Sequence, residues 1–372
     1  MAYFLRNKGI IGGIFMIVFY QLAMLGIFLS GYSAIPKNMP NLSVAIVNED
    51  KPFGEEFVRQ LSGQLPFQII TDMPLEEAQA ELQDRHLHMI VHLPSDFSQK
   101  LSSQGGQATI NYYVNGSNPS TVTSSMTSVS AQISEQIRTQ LQPPNASAES
   151  IMPKVSSHVV TTNPMPAGLN NQMAPMFLSM AMYVGAMIYS MQSLAALNQI
   201  MGIEGKWAAF LSLQGLNIII ALIAPLIGVG IVFAVHSYDF PTFLKEWLVH
   251  ALELFAAIEF TSIPVMLRGQ AGMIVNIPLL LSQTIAGGSV MVREMMPGYF
   301  KAFSYISPLF YSINLDYNIL FGGGRTLEFV LCLAMIAVLA LLLNALFYSL
   351  KLLRMPAEIK EPTTQSLAIK IK

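Results

Sequence analysis

The sequence predicts an α-helical polytopic membrane protein: six transmembrane helices, with an α/β extracytoplasmic domain inserted between the first and second. Three observations lead there. Of 372 residues, 52% are hydrophobic and only 11% charged, against roughly 25% charged in soluble domains. The apolar residues gather in runs of about twenty or more, enough to span a hydrocarbon core of about 30 Å at 1.5 Å per residue. Between the first two runs, residues 37–170 hold seven basic and twelve acidic residues, a net charge of minus five. That balance argues against nucleic-acid or anionic-lipid binding there. Cys332 is the single cysteine and sits in an apolar run, which excludes a disulfide framework or a cysteine-built zinc cluster.

Residues 1–31 read as a basic head (Arg6, Lys8) followed by the first span, Ile10–Ser30. A signal peptide would carry an apolar core of about 7–15 residues, shorter than this one, so the helix is expected to stay uncleaved. Residues 32–173 alternate strand and helix patterns. Leu42–Asn48 reads as a strand, then Phe53–Leu65 as a helix with Phe53, Phe57, Leu61 and Leu65 on one face. Phe67–Thr71 is a second strand. Asp72 is placed to cap the next helix, with Pro74, Glu76 and Glu77 in its first turn. Leu87–Leu93 is a third strand, Ser95 caps a short helix through Leu101, and Ala108–Val114 is a fourth strand. A long helix over 119–141 carries one apolar stripe: Val122, Met126, Val129, Ile133, Ile137 and Leu141. Pro143 and Pro144 end it. A loose return follows, with a strand at Val155–Thr161.

Five further spans are expected at about 174–197, 208–235, 247–267, 272–291 and 327–350, within a helical region 174–350; residues 351–372 form a tail. Six spans put both termini on one side. Segments assigned inside carry Arg6, Lys8, Lys206, Arg268, Lys351, Arg354, Lys360, Lys370 and Lys372; those assigned outside carry Lys245, Arg293, Lys301 and Arg325. The positive-inside bias predicts cytoplasmic termini. Residues 292–324, after Gly287 and Gly288, are too polar to cross a bilayer and too apolar for an ordinary loop. Their aromatic content suits the membrane interface, with Arg293 and Glu294 marking where the membrane ends.

Candidate chemistry is sparse. Gly202-Ile203-Glu204-Gly205-Lys206 lacks the spacing and the Ser/Thr of a phosphate loop, and no G-x-S-x-G nucleophile motif occurs. His86, His88 and His92 share strand parity; they form a metal site or, more simply, a half-exposed strand face. Glu259 and Glu253 lie in an apolar span, where an acid is costly and faces protein or water. Glu259 either lines a path or makes a helix-to-helix polar contact. Glu253, one turn from His250, is placed near the outer interface. Asn198–Ala208, with Trp207 at the membrane edge, reads as a short rigid loop that docks a partner or simply turns.

Several passages carry a resemblance. They are Val44–Asp50; Glu77-Ala78 with His88–Val91 and Leu93–Ser98; Val114–Pro119; Asn163-Pro164; and Gly287, Gly288, Glu294, Met296-Pro297, Phe300, Ser307-Pro308 and Tyr311. Together they resemble permease subunits of type 2 ABC transporters, in the exporter branch with a large extracytoplasmic insertion that includes phage-infection-protein-like permeases. The resemblance implies a bacterial plasma-membrane export permease for a hydrophobic or amphipathic substrate (drug, lipid or peptide). It implies a dimer, with itself or a sister subunit, among membrane lipids. No cofactor is expected on this chain; ATP and magnesium would bind a separate cytoplasmic ATPase subunit, and this chain would not be an enzyme. Gly202, Glu204, Lys206 and Trp207 would form the coupling loop, although the relatives' Arg/Glu-Gly-Thr signature is missing there. Gly287, Gly288, Glu294, Pro297, Phe300, Pro308 and Tyr311 would belong to an extracellular gate, a re-entrant segment over 292–324. The rival reading is a non-transporting receptor or scaffold that uses its ectodomain.

Overall fold

The computed structural model describes residues 8–103, 106–140, 155–235 and 238–353. Arg6, Leu141, Pro143, Pro144, Arg354, Lys360, Lys370 and Lys372 lie outside them, as do the side chains of Lys8, Phe53, Phe57 and Glu204.

The chain begins with α1 (Lys8–Tyr32) and the short α2 (Ala34–Asn38). An α/β layer follows in the order β1 (Ser43–Asn48), α3 (Lys51–Gln64), β2 (Gln68–Ile70), α4 (Leu75–Gln83), β3 (Met89–Leu93), α5 (Phe97–Ser102), β4 (Ala108–Asn115), α6 (Ser120–Gln140) and β5 (Val155–Thr162). The five strands pair in the order β2-β1-β3-β4-β5. β1 runs parallel to β2 and β3, with Ala45 opposite Ile70 and Ile90. β4 runs antiparallel to β3 and parallel to β5.

Alternate residues of a strand face opposite sides, and this sheet uses both. Val44, Ile46, Met89, Val91, Ile110 and Tyr112 pack with Leu61 of α3 and with Val122, Met126, Ile133 and Ile137 of α6. Ala45, Val47 and Ile90 pack with Ala78 and Leu82 of α4. Because helices cover both faces of β3, all five of its residues are buried. His88 and His92 are buried too, 1% and 6% exposed, which corrects the half-exposed reading. Two caps also differ from expectation. Pro74, not Asp72, is the N-cap of α4, and Asp96, not Ser95, that of α5. The buried core of the α6 face continues without a break into Met291, Met295, Phe300 and Phe310 of the helical region.

That region comprises α7 (Leu169–Glu204), α8 (Lys206–Ile223), α9 (Pro225–Val235), α10 (Phe240–Arg268), α11 (Met273–Ala286), α12 (Gly298–Ser304), α13 (Pro308–Leu320) and α14 (Thr326–Leu353). Four stretches among the described residues are long and apolar enough to cross a membrane: Leu169–Ile203, Lys206–Val235, Phe240–Ala286 and Thr326–Leu353. Val18–Tyr32 is a shorter apolar helix. This is the architecture of a polytopic membrane protein.

Proline shapes the long stretches. Pro225 has no N–H to continue the ladder, so α8 and α9 meet at Ala224, and Trp247 Nε1 donates to the Leu222 carbonyl beside the break at 2.7 Å. The 47-residue stretch Phe240–Ala286 bends through a 3-10 turn at Gly269–Gly272. Its second limb, α11, has 14 residues rather than the twenty expected over 272–291. The helix stops at Gly287, and Gly288 takes φ +82. A Cβ at Gly288 would come within 2.9 Å of Asn314 Nδ2, so only glycine turns the chain here without strain.

Candidate functional site

An ionisable side chain inside an apolar bundle must be partnered or neutralised, so partners reveal its role. Glu259 of α10 is 1% exposed. Its Oε1 accepts from Asn217 Nδ2 of α8 at 2.9 Å, and its Oε2 accepts from Asn344 Nδ2 of α14 at 2.8 Å. Asn344 also donates to the Glu259 carbonyl at 2.8 Å. Tyr189 of α7 donates its hydroxyl to Asn217 Oδ1 at 2.9 Å. Four helices are thus tied at one carboxylate, each oxygen of which is engaged. Of the two roles open in the sequence, the geometry is that of the helix-to-helix contact.

Nearer the start of α10, Glu246, His250 and Glu253 share one helical face. Asp316 of α13 faces them, and all four are at most 1% exposed. His250 Nδ1 lies 2.6 Å from Glu253 Oε2. His250 Nε2 lies 3.2 Å from Asp316 Oδ1 and 3.4 Å from Glu246 Oε2. Here satisfaction is incomplete. Both Glu246 oxygens, Glu253 Oε1, Asp316 Oδ1 and His250 Nε2 are buried with no hydrogen-bond partner. Glu253 sits inside a buried cluster. Glu246, His250 and Asp316 can each offer one ligand atom within 4.8 Å of the others.

The other side of Asp316 faces a serine of α7. Ser179 of α7 donates to Ser312 Oγ at 2.9 Å and stands 3.5 Å from Asp316 Oδ2. Ser307 caps α13, accepting from the Phe310 N–H, and donates its own hydroxyl to Gln283 Oε1 of α11 at 2.9 Å. Tyr317 donates to the Gln172 carbonyl of α7 at 2.8 Å. These bonds seat α13 among α7, α10 and α11, with most of its residues buried. The aromatic and polar groups of α13 thus meet protein rather than lipid or water. Aromatic residues suit a protein interior as well as an interface, and composition cannot separate the two. Arg293 is held by protein groups. Its guanidinium stacks 4.1 Å over Tyr305 and 3.9 Å over Phe310, and Nε donates to Ser304 Oγ at 2.9 Å. Glu294 is partly exposed, and its carbonyl accepts from Asn41 Nδ2 at 3.1 Å. Pro297 is the N-cap of α12 and Pro308 opens α13. Phe300 and Tyr311 are buried, with Tyr311 donating to the Tyr305 carbonyl at 3.1 Å.

The α/β layer grips this segment. Thr121 donates to the Val290 carbonyl, Asn38 to the Met295 carbonyl at 2.9 Å, and Gly324 N–H to the Gln83 carbonyl at 2.8 Å. Gly322, Gly323 and Gly324 all have positive φ, and a Cβ on Gly323 would lie 2.8 Å from that same Gln83 oxygen. Arg85 reaches down to Asn314 at 3.5 Å, and burial lowers its pKa to about 10.

The expected loop at Asn198–Ala208 is instead a helical corner. α7 runs to Glu204, Gly205 alone turns at φ +91 and ψ 160, and α8 starts at Lys206. Gly202 lies within α7. Trp207 is 47% exposed and packs edge-on against Tyr348 of α14. Tyr348 donates to the Lys206 carbonyl, and Lys351 donates to Asn198 Oδ1 at 2.8 Å. Gly202, Lys206 and Trp207 are gathered at this corner.

Sequence reading missed Glu246 and Asp316. Glu246 fell just outside the expected span, although its i, i+4, i+7 spacing with His250 and Glu253 was visible. Asp316 was hidden by assigning its segment to the interface.

Long apolar helices bent around buried polar clusters, joined to an α/β layer, define an integral membrane protein. The chain matches the ABC-2 family transporter proteins over residues 11–346 and belongs to that family. It is thus a transporter membrane subunit; such subunits are generally non-catalytic and normally work with an ATPase subunit. No curated protein and no solved structure matches the chain.

Proposed function

We propose that the chain is the permease subunit of an ATP-driven exporter for a hydrophobic or amphipathic substrate, within the phage-infection-protein-like branch. The observation that carries this reading is the seating of α13 among the helices, directly beneath the α/β layer, in a chain matched to the family almost end to end. Six helices cross the membrane in this reading: α1, α7, α8 with α9, α10, α11 with the coil after it, and α14. Both termini are cytoplasmic and residues 32–173 are extracytoplasmic, as the positive-inside bias indicates. The segment 292–324 closes the outer end of the path, clamped by its hydrogen bonds to the α/β layer. The corner at Gly205, with Lys206 and the half-exposed Trp207, docks a cytoplasmic ATPase that carries ATP and magnesium. Two copies, or one copy with a sister subunit, enclose the path among membrane lipids.

The test is reconstitution in liposomes with the candidate ATPase. Transport should require that subunit, and replacing Glu204 and Lys206 together should weaken its capture in a pull-down. Normal capture and transport after both changes would overturn the docking role. An ectodomain that works without any ATPase would favour the receptor or scaffold reading instead.

A further inference from the structure

The His250 cluster has a geometry that neither packing nor the transport reading explains. Glu253 Oε2 lies 2.6 Å from His250 Nδ1; accepting an Nδ1–H there, it selects the tautomer that a neutral ring would take. That leaves a lone pair on Nε2. Two carboxylate oxygens stand beside Nε2, Asp316 Oδ1 at 3.2 Å and Glu246 Oε2 at 3.4 Å. Nε2 and both of these oxygens are buried and make no hydrogen bond. Three electron-rich atoms meeting in a dry interior repel one another unless a cation lies between them.

The spacing identifies the kind of cation. Ligand bonds of about 2.0–2.2 Å in a tetrahedral site place donor atoms roughly 3.4 Å apart. Both measured separations from Nε2 fall close to that value. Two carboxylates and one neutral imidazole also balance a divalent charge, and imidazole selects the borderline first-row metals over magnesium and calcium. Glu253 stands where the carboxylate of a carboxylate–histidine–metal triad stands, orienting the ring. Ser179, 3.5 Å from Asp316 Oδ2, supports the opposite side of the aspartate.

We propose that Glu246, His250 and Asp316 bind a zinc-class divalent ion inside the helical bundle, with Glu253 as the orienting residue. Glu246 and His250 come from α10 and Asp316 from α13, so the ion joins the inserted helix to the bundle. The site does not depend on the direction of transport or on the ATPase.

The test uses the full chain in detergent, stripped with chelator, loaded with zinc chloride and desalted. Metal analysis should find about one zinc per chain, and zinc should raise the melting midpoint while magnesium does not. His250→Gln should abolish both effects. Glu253→Gln keeps all three ligands and should weaken zinc binding by about 10–100-fold. Wild-type protein holding far less than one zinc per chain, with no melting shift, would overturn the proposal and leave protons as the neutralising charge. Unchanged zinc binding in H250Q would overturn it equally. If H250Q does not yield monodisperse protein, the wild-type stoichiometry and the E253Q affinity decide the matter.

Discussion

Two buried acids on α10 stand in opposite chemical situations. Glu259 has both oxygens engaged by the amides of Asn217 and Asn344. Glu246, under two turns from the start of α10, belongs to a cluster in which oxygens and an imidazole nitrogen have no hydrogen-bond partner. The same helix therefore carries one closed polar contact and one open one. A closed contact fixes geometry and is sensitive to loss of any member. An open contact stores an electrostatic cost that something further must offset.

Four substitutions and titrations can break or sharpen that contrast. The largest effect belongs to the closed contact. Glu259→Ala strands two amides in an apolar interior and should cost about 3 kcal/mol, as breaking a buried polar tie does; Glu259→Gln keeps one acceptor and should cost about 1 kcal/mol. Both are read from thermal melting in detergent, and an unchanged midpoint for E259A would remove Glu259 from its role.

Next in size is Gly205→Ala. The φ +91, ψ 160 conformation there is one that only glycine adopts without strain, so alanine should cost about 2 kcal/mol. The corner shares no partner with the His250 cluster, and the two sets of changes should add. Non-additive melting shifts would mean that the corner and the cluster communicate.

Asp316→Asn should act in the other direction when metal is removed. Neutralising one acid in an unsatisfied group should raise the midpoint of chelator-treated protein by about 1 kcal/mol equivalent, as relief of buried charge does. A fall like that of E259A would show the cluster to be closed after all, with partners the geometry does not reveal.

The smallest effect is in the α/β layer. Burial holds the His88 ring below its usual value, with Glu294 opposing, and Ser43 N–H donates to its Nδ1 at 3.1 Å. Above about pH 6.5 the ring is neutral in both states and costs nothing. As pH falls below that, the unfolded chain binds a proton that the folded one does not, so stability drops. The loss is about 1 kcal/mol per pH unit until the folded value is reached. His88→Gln should flatten this part of the melting profile; an identical slope would assign the loss to other groups.

Much of the architecture was readable from residue patterns. The strand at Leu42–Asn48 and the helix at 119–141 lie within one or two residues of β1 and α6, because a short continuous apolar run reflects burial on both faces and a single stripe burial on one. The break at Gly287-Gly288 was legible because positive φ selects glycine. The caps at Asp72 and Ser95 were misplaced because neighbouring residues compete for the same role. The corner at Gly205 looked like a loop because Asn, Gly and Glu can sit at a helix end as well as beyond it.

What the sequence determined by itself, then, was local: which stretches are apolar enough for lipid, which alternate, and where glycine or proline interrupts. Those depend on each residue's own backbone preference and solvation. Tertiary structure alone decided that α13 packs among α7, α10 and α11. It also decided that Asp316, 66 residues beyond His250, comes within 3.2 Å of its Nε2. Charge pairing inside a bundle depends on distances between elements, and no periodicity along a single chain encodes them.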